Sequence, residues 1–280
     1  MFNYESRIEK ARKIINEADY ILIGAGAGLS TAAGLEYSGD KFKNNFGDFI
    51  DKYHFTDLYT ATFYDFESQE EKWAFWARLI NLNRYNKEPL KLYSEIFNLI
   101  KDKDYFVLTT NVDAQFEIAG FNKENIFATQ GDYGMLQCSK ACHNKLYFNK
   151  ELVVKWLKDT KDCKIPSNEV MYCPVCNEEM DVNLRKDAYF VEDDYWYNQS
   201  DKYSEFLNKI KGKKVALIEI GVGFNTPGII RFPFEQLVKE NENYSLIRIN
   251  KEHPESWNDL GNNLIAFNED TNKIIEDLRN

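Results

Sequence analysis

The sequence contains no long uninterrupted apolar run, although 44% of its 280 residues are hydrophobic and 15% are aromatic. A membrane-spanning helix needs about 20 consecutive apolar residues, so we expect no transmembrane segment and no membrane partner. Residues 1–13 are charged and lack the apolar core of a signal peptide, which predicts a cytoplasmic protein. Internal repeats and low-complexity tracts are also absent from the sequence.

Excess positive charge is missing as well, because 35 Lys and Arg residues stand against 45 Asp and Glu residues, for a net charge of −10. Proteins that bind nucleic acid neutralise phosphates with clustered Lys and Arg. The composition therefore argues against a nucleic-acid partner and leaves room only for a local basic patch. At 280 residues, the chain is long enough for one large domain with an insertion or for two domains.

Cysteine is scarce, and four of the five cysteines form two close pairs with the spacings Cys-x3-Cys and Cys-x2-Cys. The paired residues are Cys138, Cys142, Cys173 and Cys176. In a cytoplasmic protein such pairs favour a zinc site over disulfides. Four thiolates complete the tetrahedral shell of Zn2+, so we expect a structural metal. A redox pair at the second spacing and ligation by His143 are the alternatives, and Cys163 has no assigned role.

Apolar runs bounded by Gly, Asn or Lys are predicted to be buried strands, at residues 20–23, 105–109, 125–128, 214–220, 244–249 and 263–267. Segments with helical periodicity lie between them, at residues 6–18, 70–83, 90–100, 112–119, 229–239 and 271–278. This alternation predicts an α/β fold, a Rossmann-like parallel sheet with helices on both faces. Ligands bind such sheets beyond the carboxyl ends of the strands.

The alternation is lost around the cysteine pairs, which predicts an inserted module. We therefore predict a Rossmann-like nucleotide-binding domain of residues 1–131 and 184–280, and a zinc-binding module of residues 132–183. Within the first domain, residues 36–82 are predicted to form a cofactor loop and a helical segment. The polar part of that segment, residues 36–57, is predicted to be a mobile loop over the site, with Gly39 and Gly47 as hinges.

The first predicted strand runs into Gly24-Ala25-Gly26-Ala27-Gly28-Leu29-Ser30, where a helix is predicted to begin. Glycine lets the backbone approach a ligand closely, and a helix N-terminus attracts a pyrophosphate. The spacing is not the full G-x-G-x-x-G fingerprint, so a tight turn without a ligand is the alternative.

Three other strand ends carry polar or glycine-rich residues: Thr109-Thr110-Asn111-Val112-Asp113, Ala128-Thr129-Gln130-Gly131-Asp132 and Ile220-Gly221-Val222-Gly223-Phe224-Asn225-Thr226-Pro227. Asn111 or Asp113 could simply cap a helix. Because parallel strands end at one edge of a sheet, however, we expect these residues to converge on one ligand crevice.

In this order the motifs resemble the sirtuin family, the NAD-dependent protein deacylases and ADP-ribosyltransferases. Residues 26–30 are similar to the family's Gly-Ala-Gly-Ile-Ser, and residues 109–113 to its Thr-Gln-Asn-Ile-Asp. Gly221-Val222-Gly223 stands where the family has Gly-Thr-Ser, and Ile249-Asn250-Lys251 resembles its Ile-Asn strand end. The resemblance covers nearly the whole chain and implies NAD as the co-substrate.

Two departures from sirtuin deacylases predict weak deacylation. Gln130-Gly131 replaces the family's His-Gly, and a glutamine amide cannot take the proton that the histidine base takes. Residues 34–39 replace the family's Gly-Ile-Pro-Asp-Phe-Arg stretch. The three histidines, His54, His143 and His253, do not lie at predicted strand ends and are predicted to be surface or local structural residues.

The departures resemble the macrodomain-linked class M sirtuins. The shared stretches are Gln130-Gly131-Asp132, residues 221–227, Arg231-Phe232-Pro233-Phe234-Glu235 and Asn183-Leu184-Arg185. This resemblance implies an NAD-dependent mono-ADP-ribosyltransferase that modifies a lipoylated carrier protein of the glycine-cleavage H type, with a macrodomain hydrolase as a further partner. A weak deacylase or NAD glycohydrolase, and a non-catalytic NAD-sensing module, are the alternatives.

The resemblance and the strand ends together give a predicted site. The catalytic residues would be Gln130, which binds the ribose hydroxyls, Asn111, which orients the ribose or the acceptor, and Asp113, which holds the nicotinamide pocket or stabilises developing positive charge. The predicted NAD-binding residues are Gly24, Ala25, Gly26, Ala27, Gly28, Ser30, Thr31, Thr110, Asn111, Asp113, Gln130, Gly221, Val222, Gly223, Asn225, Thr226, Arg231 and Asn250.

Overall fold

A computed structural model describes residues 3–35, 39–85 and 88–280. The chain divides into two compact units. The first, which we call the α/β unit, comprises Met1–Gly34, Pro89–Gln130 and Asp194–Asn280. The second, which we call the cysteine unit, comprises Leu35–Glu88 and Gly131–Asp193.

The strands of the described residues are β1 (Tyr20–Ala25), β2 (Asp104–Thr109), β3 (Ile126–Ala128), β4 (Gly131–Cys138), β5 (Tyr147–Phe148), β6 (Met180–Leu184), β7 (Val215–Ile220), β8 (Tyr244–Ile249) and β9 (Leu264–Phe267). The α-helices are α1 (Tyr4–Glu17), α2 (Ala27–Ala32), α3 (Gly39–Tyr53), α4 (Leu58–Thr62), α5 (Gln69–Ile80), α6 (Lys91–Ile100), α7 (Gln115–Ile118), α8 (Lys150–Asp159), α9 (Asp194–Lys209), α10 (Arg231–Glu240) and α11 (Thr271–Arg279).

The α/β unit contains a six-stranded sheet in the order β3-β2-β1-β7-β8-β9, and every pairing in it is parallel. These are the predicted strands, each confirmed to within two residues at either end. The strand order reverses direction between β1 and β7, where Rossmann-like sheets bind ligands. Ala25 pairs in register with both Thr109 and Ile220, so the segments that follow these strands leave the sheet at one edge.

Side chains that alternate along the strands build two hydrophobic cores, one on each face of the sheet. Ile21 and Ile23 belong to the core that includes α1, α6 and α11. Leu22 belongs to the opposite core, which includes Phe206 of α9 and Phe234 of α10. The predicted covering of both faces is confirmed. A Cβ at Gly24 would lie 2.4 Å from Ile230, so this glycine lets the segment that begins α10 pack against β1.

The cysteine unit has a small antiparallel sheet in the order β5-β4-β6. Its helices bury an aromatic cluster in which the rings of Phe46 and Phe75 lie 5.4 Å apart, and Trp73 of α5 stacks on Trp156 of α8 at 4.9 Å. A π-helical turn, Asn81–Tyr85, extends α5. Within the described residues, no helix is both long enough and apolar enough to cross a bilayer.

The prediction of a mobile loop at residues 36–57 is wrong for most of that segment. Residues 39–53 form α3, which bends at Phe46. Phe42, Phe46 and Phe49 follow helical spacing and are all buried, which explains the helix. Residues 36–38 of the predicted loop lie outside the described residues. The sequence-based division also placed residues 36–82 with the Rossmann-like domain, whereas the compact unit that contains them is the cysteine unit.

Candidate functional site

All the predicted NAD-binding residues belong to the α/β unit, and all but Arg231, which begins α10, lie in β1 or in the segments that follow β1, β2, β3, β7 and β8. Two groups among them differ in exposure. The exposed residues are Ala27, Gly28, Thr31, Gly223, Asn225 and Thr226. The buried polar residues are Ser30, Asn111, Asp113, Arg231 and Asn250. The sheet therefore brings together, at one edge, an exposed backbone surface and the buried side chains beside it.

The two glycine-rich turns after β1 and β7 contact each other directly. The Gly28 N–H donates to the Gly221 carbonyl at 3.0 Å, and the Gly26 N–H donates to the Ile220 carbonyl at 3.1 Å. A Cβ at Gly26 or Gly28 would lie 2.7 or 2.8 Å from Gly221 backbone atoms, and Gly221 has a φ of +63°. The packing of the turns therefore requires these glycines by itself, and the Gly28 N–H is already engaged.

Four buried side chains after β1 and β2 and on α6 form one hydrogen-bond network. Ser30 Oγ donates to Asp113 Oδ2 at 2.6 Å and lies 2.8 Å from the Tyr93 hydroxyl. Asn111 Nδ2 lies 3.1 Å from Ser30 Oγ, 3.2 Å from the Tyr93 hydroxyl and 3.1 Å from the Gly26 carbonyl oxygen. The network joins two predicted strand ends directly through Ser30, and it also includes Tyr93 of α6, which was not among the predicted site residues.

The orientation of the Asn111 carboxamide is fixed by the Gly26 carbonyl, which can only accept a hydrogen bond. The amide nitrogen must therefore face Gly26, and Oδ1 points the other way. Across residues 3–35, 39–85 and 88–280, no hydrogen bond reaches Oδ1, and this oxygen is not among the fully buried polar atoms that lack a partner. Among the described residues, Asn111 Oδ1 is therefore an acceptor with no internal partner at the carboxyl end of β2.

Asp113 is 3% exposed and its carboxylate is used inside the protein. Oδ2 accepts from Ser30, and Oδ1 accepts the Gln115 N–H at 3.0 Å, which starts α7. The helix predicted from residue 112 thus begins at Gln115, because Ala114 adopts a left-handed conformation with φ of +54°. The bond from Gln115 makes Asp113 a helix cap, and the bond from Ser30 joins it to the network that includes Asn111.

Threonines fix the backbone beside Asn111 and Gln130. Thr109 Oγ1 donates to the Ala25 carbonyl and accepts the Asn111 N–H, both at 3.0 Å. The Thr129 N–H donates to the Thr109 carbonyl at 2.9 Å. Gln130 follows at once and is half-buried, which places a neutral amide at the carboxyl end of β3.

Arg231 and Asn250 were expected to face the cofactor, but the structure gives their side chains internal partners. Arg231 is fully buried and donates to the carbonyls of His253 and Glu255. Asn250 Nδ2 donates to the Val222 carbonyl at 2.8 Å, while its Oδ1 accepts from the His253 N–H at 2.9 Å. Both side chains therefore hold the segments after β7 and β8 in place, and direct contact with a cofactor stays a prediction.

A fully buried ionic cluster underlies these segments, and the sequence analysis missed it. Arg248 donates to Glu219 at 2.9 Å and to Glu235 at 2.8 Å, and Arg231 lies 3.5 Å from Glu219. Burial raises the pKa of Glu219, and the arginines only partly offset that effect. The sequence contains a sign of this cluster, since Glu219 and Arg248 are charged residues inside apolar runs. In the structure the two residues pair in register on neighbouring strands.

The four paired cysteines come together in the cysteine unit, with sulfur atoms all within 4.8 Å of one another. Cys138–Cys176 and Cys142–Cys173 have Sγ–Sγ distances of 3.6 Å. Tetrahedral ligation by bonds of about 2.3 Å places sulfurs about 3.8 Å apart, so the geometry fits Zn2+. All five cysteines are free, which agrees with a metal site and not with disulfides.

His143 lies next to this cluster without belonging to it. Its Nδ1 is 3.0 Å from Cys142 Sγ and its Nε2 is 3.0 Å from the Tyr147 hydroxyl, so both ring nitrogens have hydrogen-bond partners. Cys163 does not belong to the clustered set and is buried. Burial and the Asp48 carboxylate raise the pKa of the Cys163 thiol to about 11, which keeps it neutral and unreactive at neutral pH.

Comparisons with known proteins show which proteins this chain resembles. No family model matches the chain. A solved structure of a Sir2 protein bound to a propionylated peptide has a TM-score of 0.60 and 17% identity, over 96% of this chain and 95% of that one. A protein ADP-ribosyltransferase from Staphylococcus aureus is 36% identical over 268 residues, covering 95% of this chain and 85% of that protein. The chain belongs to the protein ADP-ribosyltransferases of the sirtuin family.

More distant sirtuin relatives extend the comparison. A probable bifunctional ADP-ribose hydrolase/ADP-ribosyltransferase from Fusarium oxysporum f. sp. cubense is 32% identical over 88% of this chain, which spans 42% of that protein. An NAD-dependent protein deacetylase from Bacillus anthracis is 21% identical over 88% of each chain. The predicted resemblance to sirtuins is confirmed.

Proposed function

We propose that this sirtuin transfers ADP-ribose from NAD to a protein and releases nicotinamide. The observation that carries the proposal is the Asn111 carboxamide, which is locked by buried partners and presents Oδ1 at the carboxyl end of β2. The 36% identical protein ADP-ribosyltransferase supports the reaction type.

The residues of the α/β unit fit an NAD molecule by their chemistry. NAD supplies an activated sugar with nicotinamide as the leaving group. The exposed backbone at Ala27 and the exposed polar side chains of Asn225 and Thr226 would hold its pyrophosphate, which would lie against Gly28. An added Cβ at Gly223 would meet nothing within 4 Å, which leaves open space for close approach of a ligand beside that turn.

Asn111 Oδ1 would accept a hydrogen bond from a ribose hydroxyl and so orient the sugar for attack. Gln130 would bind ribose hydroxyls without removing a proton, because its amide is not a base at neutral pH. An acceptor nucleophile can then capture the sugar, whereas steps that need a deprotonated ribose hydroxyl are slow. Asp113 would act by fixing Ser30 and Asn111, and its predicted influence on the nicotinamide pocket remains part of the proposal.

The acceptor and the other partners are proposed from family resemblance. The acceptor would be a lipoylated carrier protein of the glycine-cleavage H type, in the cytoplasm. A macrodomain hydrolase would remove the modification, and the Fusarium relative, whose name joins a hydrolase with a transferase, supports this pairing. The cysteine unit would bind one structural Zn2+ through Cys138, Cys142, Cys173 and Cys176.

The test is to incubate the protein with NAD labelled in the adenine moiety, together with lipoylated or unmodified carrier, and to follow both labelled protein and free nicotinamide. We expect label on the carrier, and loss of at least 100-fold in rate for Asn111→Ala. Asn149→Ala is the matched control, because Asn149 is also buried and its Nδ2 also donates to a backbone carbonyl, at 2.9 Å. The control should lose stability and keep its transfer rate.

The fate of the label separates the alternatives. Label on free ADP-ribose alone would favour an NAD glycohydrolase, and label on acyl-ADP-ribose from an acylated carrier would favour a deacylase. NAD binding with no release of nicotinamide would favour an NAD-sensing module. Any of these three results, without labelled carrier, contradicts the proposal.

A further inference from the structure

The buried network around Asn111 has a defined direction of hydrogen bonding. A carboxylate only accepts, so the Ser30 hydroxyl proton is committed to Asp113 Oδ2 at 2.6 Å. Ser30 Oγ can then only accept from Tyr93, so the Tyr93 hydroxyl donates across 2.8 Å. The Tyr93 oxygen in turn accepts from Asn111 Nδ2 at 3.2 Å. The donors therefore run from Asn111 through Tyr93 and Ser30 to Asp113.

From this order we infer that Tyr93 is a positioning residue for the transfer reaction, acting on the Asn111 carboxamide through their direct contact and through Ser30. The inference rests on the proposed function. Tyr93 is fully buried, so it touches neither solvent nor substrate directly. Its ring packs edge-on against Phe116, with centroids 4.9 Å apart, and this contact holds the hydroxyl at the network.

The chain Tyr93–Ser30–Asp113 ends on a buried charge, which makes each link stronger than an isolated neutral hydrogen bond. Without the Tyr93 hydroxyl, Ser30 loses a donor, and Asn111 Nδ2 loses one of its three nearby acceptors. The Asn111 carboxamide can then rotate more freely, so its Oδ1 no longer points in a single direction. Since orientation matters more as the sugar reacts than when NAD binds, the effect should fall on kcat and not on KM.

The variant Tyr93→Phe keeps the ring and removes only the hydroxyl. We expect kcat for nicotinamide release in the presence of carrier to fall about tenfold, with KM for NAD changed less than twofold. The matched control is Tyr244→Phe, because the Tyr244 hydroxyl is also buried and donates to a backbone carbonyl, that of Ile210, at 3.0 Å, in the core on the other face of the sheet. Both variants should lose similar thermal stability, and only Tyr93→Phe should lose kcat.

Ser30→Ala and the double variant with Tyr93→Phe test whether the two hydroxyls act as one network on Asn111. Because both hydroxyls orient the same carboxamide, the double variant should be slower than Ser30→Ala alone but should lose less than the product of the two single losses, which independent roles would give. A wild-type kcat in Tyr93→Phe, or a multiplied loss in the double variant, would overturn the inference.

A second readout keeps the inference testable if wild-type protein releases no nicotinamide, which would be a failure of the proposed function alone. In asparagine-labelled protein, the side-chain NH2 protons of Asn111 should be protected from hydrogen exchange. Protection should fall at least tenfold in Tyr93→Phe and stay unchanged in Tyr244→Phe. Equal protection in wild type and Tyr93→Phe would contradict a positioning role whether or not the protein is active.

Discussion

The α/β unit and the sheet of the cysteine unit are stabilised in different ways. In the α/β unit, strands such as β7 are buried along their whole length between two hydrophobic cores. In the cysteine unit, β5 has only two residues, and the loops beside β4 and β6 converge on four thiols. β4 and β6 bury Leu136, Met180 and Val182, but the sheet is small, so ligation of a metal by the four thiols would add much of its stability. Loss of one cysteine ligand should therefore destabilise the sheet of the cysteine unit and leave the sheet of the α/β unit intact.

Removal of the metal should give the largest effect. Chelation, or Cys173→Ser, should unfold the region of β4–β6, because structural zinc supplies about 10–16 kcal/mol in small metal sites. Hydrogen exchange measured by mass spectrometry should show lost protection in β4 and β6 and retained protection in β1, β2 and β7. Cys163→Ser is the control and should keep the metal. Equal loss of protection in both sheets would contradict the claim that the two units are stabilised in different ways.

Disruption of the buried ionic cluster should give the next largest effect, in the α/β unit. Arg248→Met leaves Glu219 and Glu235 without their main partner, and removing one member of a buried ion pair costs about 3–5 kcal/mol. Urea denaturation measures the change in unfolding free energy. Lys209→Met, which breaks an exposed pair with Asp104, should change it by less than about 1 kcal/mol. Similar values for the two variants would contradict the importance of the cluster.

Alanine substitutions at two glycines should have smaller effects on stability, and these effects should be opposite in sign. Gly24→Ala should destabilise the α/β unit by about 1–3 kcal/mol, because the new Cβ would lie 2.4 Å from Ile230 and 2.6 Å from Phe234. Gly47→Ala, in α3 of the cysteine unit, meets nothing within 4 Å and should be neutral or stabilising by up to about 1 kcal/mol. Thermal unfolding of both variants checks the signs, and a stabilised Gly24→Ala would rule out the close packing of α10 on β1.

The smallest effect concerns the pH dependence of the cysteine unit. Burial alone would raise the pKa of Glu71, but the hydrogen bond from the Lys52 ammonium, together with its charge, outweighs burial and lowers the pKa below its ordinary 4.5. A lowered folded-state pKa means that the stabilisation is complete above pH 4.5 and is lost as the pH falls through the folded-state value. In Glu71→Gln, the free energy of unfolding should therefore depend less on pH between pH 5 and the folded-state pKa of Glu71. An unchanged slope would show that Glu71 is not linked to folding.

Much of the α/β unit could be predicted from the sequence because each strand is an apolar run that stops at a polar or glycine residue. The cysteine ligands were equally accessible, since their spacing alone defines the site. The helix α3 was missed although Phe42, Phe46 and Phe49 follow helical spacing, because the Asn, Asp, Lys and Gly residues around them are typical of a loop. The helix α9 is rich in polar residues and was missed as well. Tyr93 could not be found from its neighbours, because it meets Ser30, 63 residues away, only through the folded sheet.

The strand-end residues carry a further lesson. Glycines 26, 28 and 221 suggested a phosphate-binding turn, yet contact between the two turns already requires them. Arg231 suggested a phosphate ligand, yet it is fully buried beneath the segments it supports. Local sequence therefore predicts where a site lies, while tertiary contacts decide which of the predicted residues remain free to meet a ligand.

The most direct test of the proposed site is a crystal structure of the protein with bound ADP-ribose. We predict a ribose hydroxyl within hydrogen-bond distance of Asn111 Oδ1, with Nδ2 still facing Gly26 and Ser30, and the pyrophosphate over the exposed backbone of Ala27 and Gly28. A nucleotide bound away from the carboxyl ends of β1, β2 and β7, or a ribose with no contact to Asn111, would contradict this account.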